Sequence, residues 1–166
     1  VVVMHGAGEN GGRIRIETGY AFERLADEHG FAVVYPNAYQ GYWDVCTVAE
    51  DVSANGLNID DVGFLTGMVD KLVSEIGVDP GRVFAAGSSR GGFMAFRLAL
   101  EAPSRFRAVA AASGTLPAGT SAPTAKKRVA MATPKSSGNA GSAVSWTWVA
   151  RFTALIRLLV ELSSPG

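Results

Sequence analysis

Short apolar runs separated by stretches of helical periodicity make up the first two thirds of the chain. Residues 1–4 (Val-Val-Val-Met) end in His5-Gly6-Ala7-Gly8-Glu9-Asn10-Gly11-Gly12, the pattern of a buried strand meeting a glycine-rich loop. From about Thr18 to His29, Phe22, Leu25 and Ala26 fall on one face, and Gly30 stands where a C-terminal cap belongs. Residues 31–35 predict a second buried strand, closed by Pro36, which has no N–H to give a ladder. No period is sustained from Pro36 to about Asn58, and a connection of that length is usually functional.

The clearest helix follows. Ile59, Val62, Leu65, Met68, Val69, Leu72, Val73 and Ile76 recur at three-and-four spacing, with Asn58 as cap and Gly77 as stop. Asp60 and Asp61 fall in its first turn, where carboxylates complement the helix dipole, so they are read as structural rather than as a metal or acid pair. A turn at Asp79-Pro80-Gly81, a strand over 83–86, a helix over 91–102 and a strand over 108–112 complete the pattern. Near-continuously apolar strands separated by helices predict an α/β fold, a mostly parallel sheet flanked by helices.

Composition sharpens this picture at one place. A chain of 166 residues with 48% hydrophobic content can bury a core without staples. Zero net charge, with no basic stripe, argues against a nucleic-acid partner. Cys46 is the single cysteine, which excludes an internal disulfide framework and a cysteine-based zinc site, and no metal is expected. The neutrality is uneven, however. Up to Leu116 there are nine Lys/Arg against fourteen Asp/Glu, and from Pro117 on there are six against one, a balance of minus five and then plus five. Sixteen of the 20 glycines also lie before Pro117.

The chain is therefore read as a core over 1–117 and an atypical tail over 118–166. Trp148, Phe152, Leu155, Ile156 and Leu159 predict one tail helix around 144–162, too interrupted by charge for a membrane span. Lys126-Lys127-Arg128 reads as a solvated cluster. The opening without a methionine or basic leader suggests a fragment, so targeting is not legible.

The candidate chemistry sits between the third predicted strand and the helix after it. Gly87-Ser88-Ser89-Arg90-Gly91 is G-x-S-x-G in the strand-to-helix context that the motif requires. Such a turn lifts the Ser89 hydroxyl above the strand ends and sets the Arg90 amide where it can donate to a developing oxyanion. His5-Gly6-Ala7-Gly8 stands where the second oxyanion amide belongs, supplied by Ala7 or by Gly8. A competing match is G-x-G-x-x-G over residues 6–11, a dinucleotide fingerprint. It also needs an acid at the end of the next strand, where this chain has Tyr35-Pro36-Asn37.

The segments VVVMHGAGEN, LADEHGFAVVYPNA, QGYWDV and NIDDVGFLTGMVDKLVSEIGVDPGRVFAAGSSRGGFMAFRLALEAPSRFRAVAAASGTLP, in that order, resemble the polyhydroxybutyrate depolymerase and feruloyl esterase group of α/β-hydrolases. The resemblance covers residues 1 to about 117. It implies a serine carboxylesterase of extracellular or periplasmic type, acting without a cofactor on polyesters or on plant cell-wall feruloyl or acetyl esters. By the same resemblance Ser89 is the nucleophile, the Arg90 and Ala7 amides form the oxyanion hole, and His5, Gly6, Gly8 and Trp43 border the substrate.

The chain departs from that pattern after Ser89. The triad order is Ser, acid, His, but no histidine or aspartate follows Ser89, and the only later acids are Glu101 and Glu161. His5 reads as a loop-packing residue and His29 as a partner for the last carbonyls of its helix. Losing a triad member typically costs about a million-fold in turnover, so the chain as written is expected to be nearly inactive. The expectation is a partial α/β-hydrolase fold with its C-terminal strands missing and a reading-frame slip or artificial end near 117–126. The alternatives are a non-catalytic remnant or binding module and, more distantly, a dinucleotide-binding domain. Cys46 reads as a bystander, or as a disulfide partner in a longer parent chain. None of these features fixes an oligomeric state.

Overall fold

A computed structural model describes residues 1–45, 59–114, 128–132 (backbone) and 154. The opening apolar run forms β1 (Val2–Met4), buried along its length. The glycine-rich loop then runs directly into a short helix, α1 (Gly11–Glu17), in which Asn10 caps the first turn by accepting from the Arg13 amide at 2.9 Å. After a turn containing Tyr20 at φ 58°, α2 (Ala21–His29) ends at Gly30 with φ 67°. The continuous helix predicted from about Thr18 is therefore shorter at its start, and α1 is an element that the sequence pattern did not suggest.

The next segment departs from expectation as well. Residues 31–35 were expected to form a buried strand, but only Val34 makes a bridge, parallel to Val2, and the side chains there are at most half-buried. The Val34 amide donates to Val1 O at 3.0 Å and its carbonyl accepts from the Val3 amide at 2.9 Å. Among the described residues this segment has β1 as its one neighbour, β1 is three residues long, and Pro36 ends the donor series, so the pairing stops at a single bridge.

The strongly periodic helix is α3 (Asp61–Ile76). Asp60 caps it, accepting from the Gly63 amide at 2.7 Å, and Gly77 ends it. The cap expected at Asn58 lies outside the described residues. Then come β2 (Phe84–Ser88), α4 (Arg90–Glu101), β3 (Ala108–Ala112) and β4 (Arg128–Ala132). The strands form one parallel sheet in the order β1-β2-β3-β4, with Val2 beside Ala85, Ala85 beside Val109 and Val109 beside Val129. The last strand is drawn from residues after Pro117, where only a helix was expected. That helix, around 144–162, lies outside the described residues apart from Ala154, as do Cys46 and Lys126-Lys127.

Alternate strand positions feed opposite faces. Val2, Met4, Ala85 and Val109 join Trp43, Leu65, Val69, Met94, Leu98 and Phe106 on the face covered by α3 and α4. Val3, Phe84, Ala86, Ala108 and Ala110 join Ile14, Phe22 and Leu25 on the face covered by α1 and α2. Burial on both faces is why the strands read as unbroken apolar runs. The four alanines of β3 leave room for α4 to lie close to the sheet, which brings the N-terminus of that helix to the strand ends. Among the described residues, no helix is long and apolar enough to cross a membrane.

Candidate active site

The passage from β2 to α4 is made by a single residue. Ser88 ends the strand, Arg90 begins the helix, and Ser89 between them has φ 51° and ψ −117°. Its amide donates to Ala112 O at 2.8 Å on β3, and its carbonyl accepts from the Gly92 and Phe93 amides at 2.8 and 3.1 Å, so both sides of the turn are pinned. Ser89 is exposed at the carboxyl end of β2.

The flanking glycines are a steric requirement. A Cβ on Gly87 would lie 2.0 Å from Gly91 O, and one on Gly91 would lie 2.3 Å from Met4 O and 2.6 Å from His5 O. α4 is thus seated against the end of β1 as well as β2.

The conformation of Ser89 stores strain. A non-glycine residue at such a φ costs on the order of 1–3 kcal/mol, while glycine loses about 0.5–1 kcal/mol more backbone entropy on folding. The strain term wins, so Ser89→Gly is expected to be about 1 kcal/mol more stable than Ser89→Ala in urea unfolding. Equal midpoints would show that the turn is unstrained.

The loop after β1 is held by a turn of its own and by bonds to Gly41 and Trp43. The Glu9 amide donates to Gly6 O at 3.4 Å and Gly8 has φ 72°, a type II turn with Ala7 at its second position and Gly8 at its third. The Gly6 amide donates to Glu9 Oε2 at 2.9 Å, and the Gly8 amide to Gly41 O at 2.9 Å. Among the described residues, the Ala7 amide is left without a partner and is exposed. The Arg90 amide, at the first position of α4, also has none. Of the two candidates in this loop only Ala7 keeps a free donor, because the Gly8 amide is committed to Gly41.

His5 and Trp43 lie behind the loop rather than beside the substrate space. His5 Nδ1–H donates to Gly6 O at 2.7 Å and Nε2 accepts from the Ala38 amide at 3.0 Å, which uses both ring nitrogens of a neutral imidazole. Trp43 Nε1 donates to His5 O at 3.0 Å, and the two rings are 5.1 Å apart. Both side chains are 0% exposed. Their expected place at the substrate border is therefore corrected: they support the loop from inside. Gly6 is likewise internal, its amide taken by Glu9.

The exposed aromatics of this region are Tyr42, at 37%, and Tyr39, at 54%. The Arg90 guanidinium lies 5.7 Å from the Tyr42 ring centre, and its Nε donates to Trp43 O at 2.6 Å. Sequence patterning could not tell which ring of the Tyr42-Trp43 pair faces inward.

A charged group lies behind the same segment. Arg97 Nη1 donates to Asp44 O at 2.6 Å, Arg97 Nε to Glu101 at 2.6 Å, and the Asp44 amide to Asp61 Oδ2 at 2.5 Å. Burial pushes the Asp61 carboxyl above its ordinary value, against the Asp44 amide and the Arg97 charge, with Asp44 and Asp60 adding to the rise. Burial also works against the Arg97 charge, yet Glu101, Asp44 and Asp61 hold it above its usual value. Asp61 is thus more than a helix-dipole partner.

Neither histidine is placed as a base for Ser89. His5 is fully bonded. His29 closes α2 and lines a cavity of about 350 Å³ with Val1 and Phe84, at the starting ends of the strands and away from the elbow. The expectation that it bonds the last helical carbonyls is not met at Nε2, which is buried without a hydrogen bond, 3.8 Å from Glu28. The dinucleotide reading loses its donors as well. The Gly6 amide faces the Glu9 carboxylate, and the Gly11 amide donates to Asn37 Oδ1 at 2.7 Å, where a pyrophosphate would need both free.

Residues 1–147 match the family described as esterase PHB depolymerase. The chain belongs to that family. It is 34% identical over 103 residues to acetylxylan esterase A of Aspergillus ficuum, covering 61% of this chain and 31% of the relative. It is 29% identical over 133 residues to a poly(3-hydroxybutyrate) depolymerase of Ralstonia pickettii, covering 74% and 26%. The solved acetyl xylan esterase from Aspergillus awamori superposes with a TM-score of 0.52 at 27% identity, covering 66% of this chain and 39% of that one. The fold is accordingly a partial α/β-hydrolase fold, and the chain spans from 26% to 39% of the length of these relatives.

Proposed function

We propose that this chain carries the nucleophile and oxyanion donors of a serine carboxylesterase. The observation that carries the reading is an exposed serine on a one-residue strand-to-helix turn together with two amides, those of Ala7 and Arg90, that have no partner among the described residues. Ser89 Oγ attacks the ester carbonyl carbon, and the electron pair moves onto the carbonyl oxygen, which the two amides stabilise. Collapse expels the alkoxide, which takes up the proton given up by Ser89 Oγ and leaves as the alcohol, and the acyl-serine that remains is hydrolysed by water.

A base is needed to take the serine proton, and neither His5 nor His29 can reach it. The residues of this chain therefore supply the donor part of catalysis, of the order of 10³–10⁴-fold over water, and not the full rate. Membership of the family and the names of the relatives support carboxylic esters as substrates, such as acetylated xylan or a hydroxybutyrate polyester; a feruloyl ester is a further candidate that rests on the sequence resemblance alone. The exposed Tyr39 and Tyr42 offer faces on which a sugar or polyester segment could lie. The location that goes with this activity is extracellular or periplasmic.

The test is to incubate the chain with a fluorophosphonate and locate the adduct by peptide mass spectrometry. The expected site is Ser89. A folded chain that acquires no adduct, or one on other serines, would overturn the reading and favour a non-catalytic binding module.

A further inference from the structure

The Ala7 amide can serve an oxyanion only if it is held at a fixed place relative to the Arg90 amide. Those two donors come from different elements, a turn after β1 and the start of α4, so something must tie them together. Gly41 and Trp43 hold that turn at both ends: the Gly8 amide donates to Gly41 O at 2.9 Å, and Trp43 Nε1 donates to His5 O at 3.0 Å. The place of Ala7 is thus inherited from the segment Gly41–Asp44.

That segment has no ladder of its own. The Gly41 and Tyr42 amides turn back onto Ala38 O and Tyr39 O at 3.1 Å, while the backbone groups of Trp43 and Asp44 are bonded by side chains from α3 and α4. Trp43 O accepts from Arg90 Nε and Asp44 O from Arg97 Nη1, both at 2.6 Å, while the Asp44 amide donates to Asp61 Oδ2 at 2.5 Å. Arg97 lies about two helical turns beyond Arg90, on the same face of α4. Its side chain is 14% exposed, and Glu101 locks its other edge through Nε at 2.6 Å. The helix that offers the Arg90 amide therefore also reaches back to fix the segment that holds Ala7.

For stability alone, apolar side chains in place of the whole charged group, Arg97 with its acidic partners, would serve about as well. A guanidinium is distinguished by its planar fork, which can hold Asp44 O and Glu101 at once in a fixed geometry. We propose that Arg97 is a positioning residue of the acyl-transfer site: through Asp44 and with Asp61, it sets the Ala7 amide opposite the Arg90 amide. This rests on the reading of Ser89 as nucleophile.

The test compares phosphonylation of the full chain with Arg97→Met, Arg97→Lys and Asp61→Asn, and with Arg13→Met on the exposed side of α1 as a control. Intact-mass kinetics separate the saturation constant for the fluorophosphonate from the limiting rate of adduct formation. Far-UV circular dichroism and urea midpoints report the folded fraction. Misplacing a donor by about an ångström slows a reaction up to about 10²-fold. Arg97→Met is therefore expected to lower the limiting rate about tenfold or more in folded protein, with the saturation constant changed less than about twofold.

Arg97→Lys and Asp61→Asn should fall in between, Arg13→Met should match the wild type, and added methylguanidinium should restore part of the rate of Arg97→Met. A merely structural role would shift the urea midpoint and leave the limiting rate of folded protein untouched. If Arg97→Met does not fold, Arg97→Lys carries the test, since a single ammonium cannot bridge both acceptors; a wild-type rate in it overturns the proposal. Labelled wild type with an unslowed Arg97 variant overturns this inference alone. Wild type without an adduct at Ser89 overturns it together with the reading of Ser89.

Discussion

Replacing Ala7 by proline is expected to slow phosphonylation of Ser89 by about 10²–10³-fold while leaving the chain folded, because loss of one oxyanion donor typically has an effect of that size. The substitution is chosen for its conformational neutrality. Ala7 occupies the second position of a type II turn whose third position, Gly8, has φ 72°, and proline is favoured at that second position. The residue before it is Gly6, which tolerates the restriction that proline places on its neighbour. Ala7 is exposed, and its N–H has no partner to lose among the described residues. Stability should hold or rise by about 0.4–1 kcal/mol through the reduced freedom of the unfolded chain. Rates from intact-mass kinetics and a urea midpoint on the same samples check both halves. An unchanged rate in a folded Ala7→Pro chain would remove Ala7 from the site.

The second large effect concerns the elbow itself. Gly87→Ala is expected to destabilise the chain by more than about 3 kcal/mol, at the upper end for an inserted carbon. The new Cβ would sit 2.0 Å from Gly91 O and 2.2 Å from Gly91 C, both backbone atoms of α4. No side-chain rotation relieves that contact, so α4 would have to lift from the sheet, and lifting it would also disturb the packing of Gly91 on Met4 O and His5 O. Gly67→Ala is the control of opposite sign. It lies in the middle of α3 with nothing within 4 Å of an added Cβ, so it should gain about 0.8–1 kcal/mol from helix propensity. Urea unfolding of the two variants separates a steric requirement from a general intolerance of substitution at glycine.

The elbow was legible in the sequence because its geometry is local. Gly87, Ser89 and Gly91 are two residues apart, and the strand before them and the helix after them are both strongly patterned. The strand over 108–112 was legible for a related reason, since β3 is paired on both sides and its boundaries follow its apolar run. What the pattern could not carry was information about partners distant in sequence. The choice between Ala7 and Gly8 turns on a hydrogen bond from Gly8 to Gly41, and the inward turn of Trp43 on one to His5. The segment at 31–35 looks like a buried strand because Val33 and Val34 are β-branched, yet among the described residues it pairs only with β1, through one bridge. α1 escaped notice because Gly11 and Gly12 are poor helix formers, while Gly11 is required there: a Cβ would lie 2.2 Å from Tyr35 O. Asp61 reads as a helix-dipole partner, and Arg97 carries no signal of its own, because the residue they both bond, Asp44, lies far from them in sequence.

The central claim is that Ser89, Ala7 and Arg90 converge on one tetrahedral centre. Determining the crystal structure of the phosphonylated chain tests it most directly, since the phosphorus stands where the carbonyl carbon of an ester would be and its anionic oxygen where the oxyanion forms. The expected result is a bond from Ser89 Oγ to phosphorus, with that oxygen about 2.7–3.1 Å from the amide nitrogens of both Ala7 and Arg90. A phosphorus bonded to another residue, or an oxygen on Ser89 turned to solvent beyond reach of both amides, would contradict it.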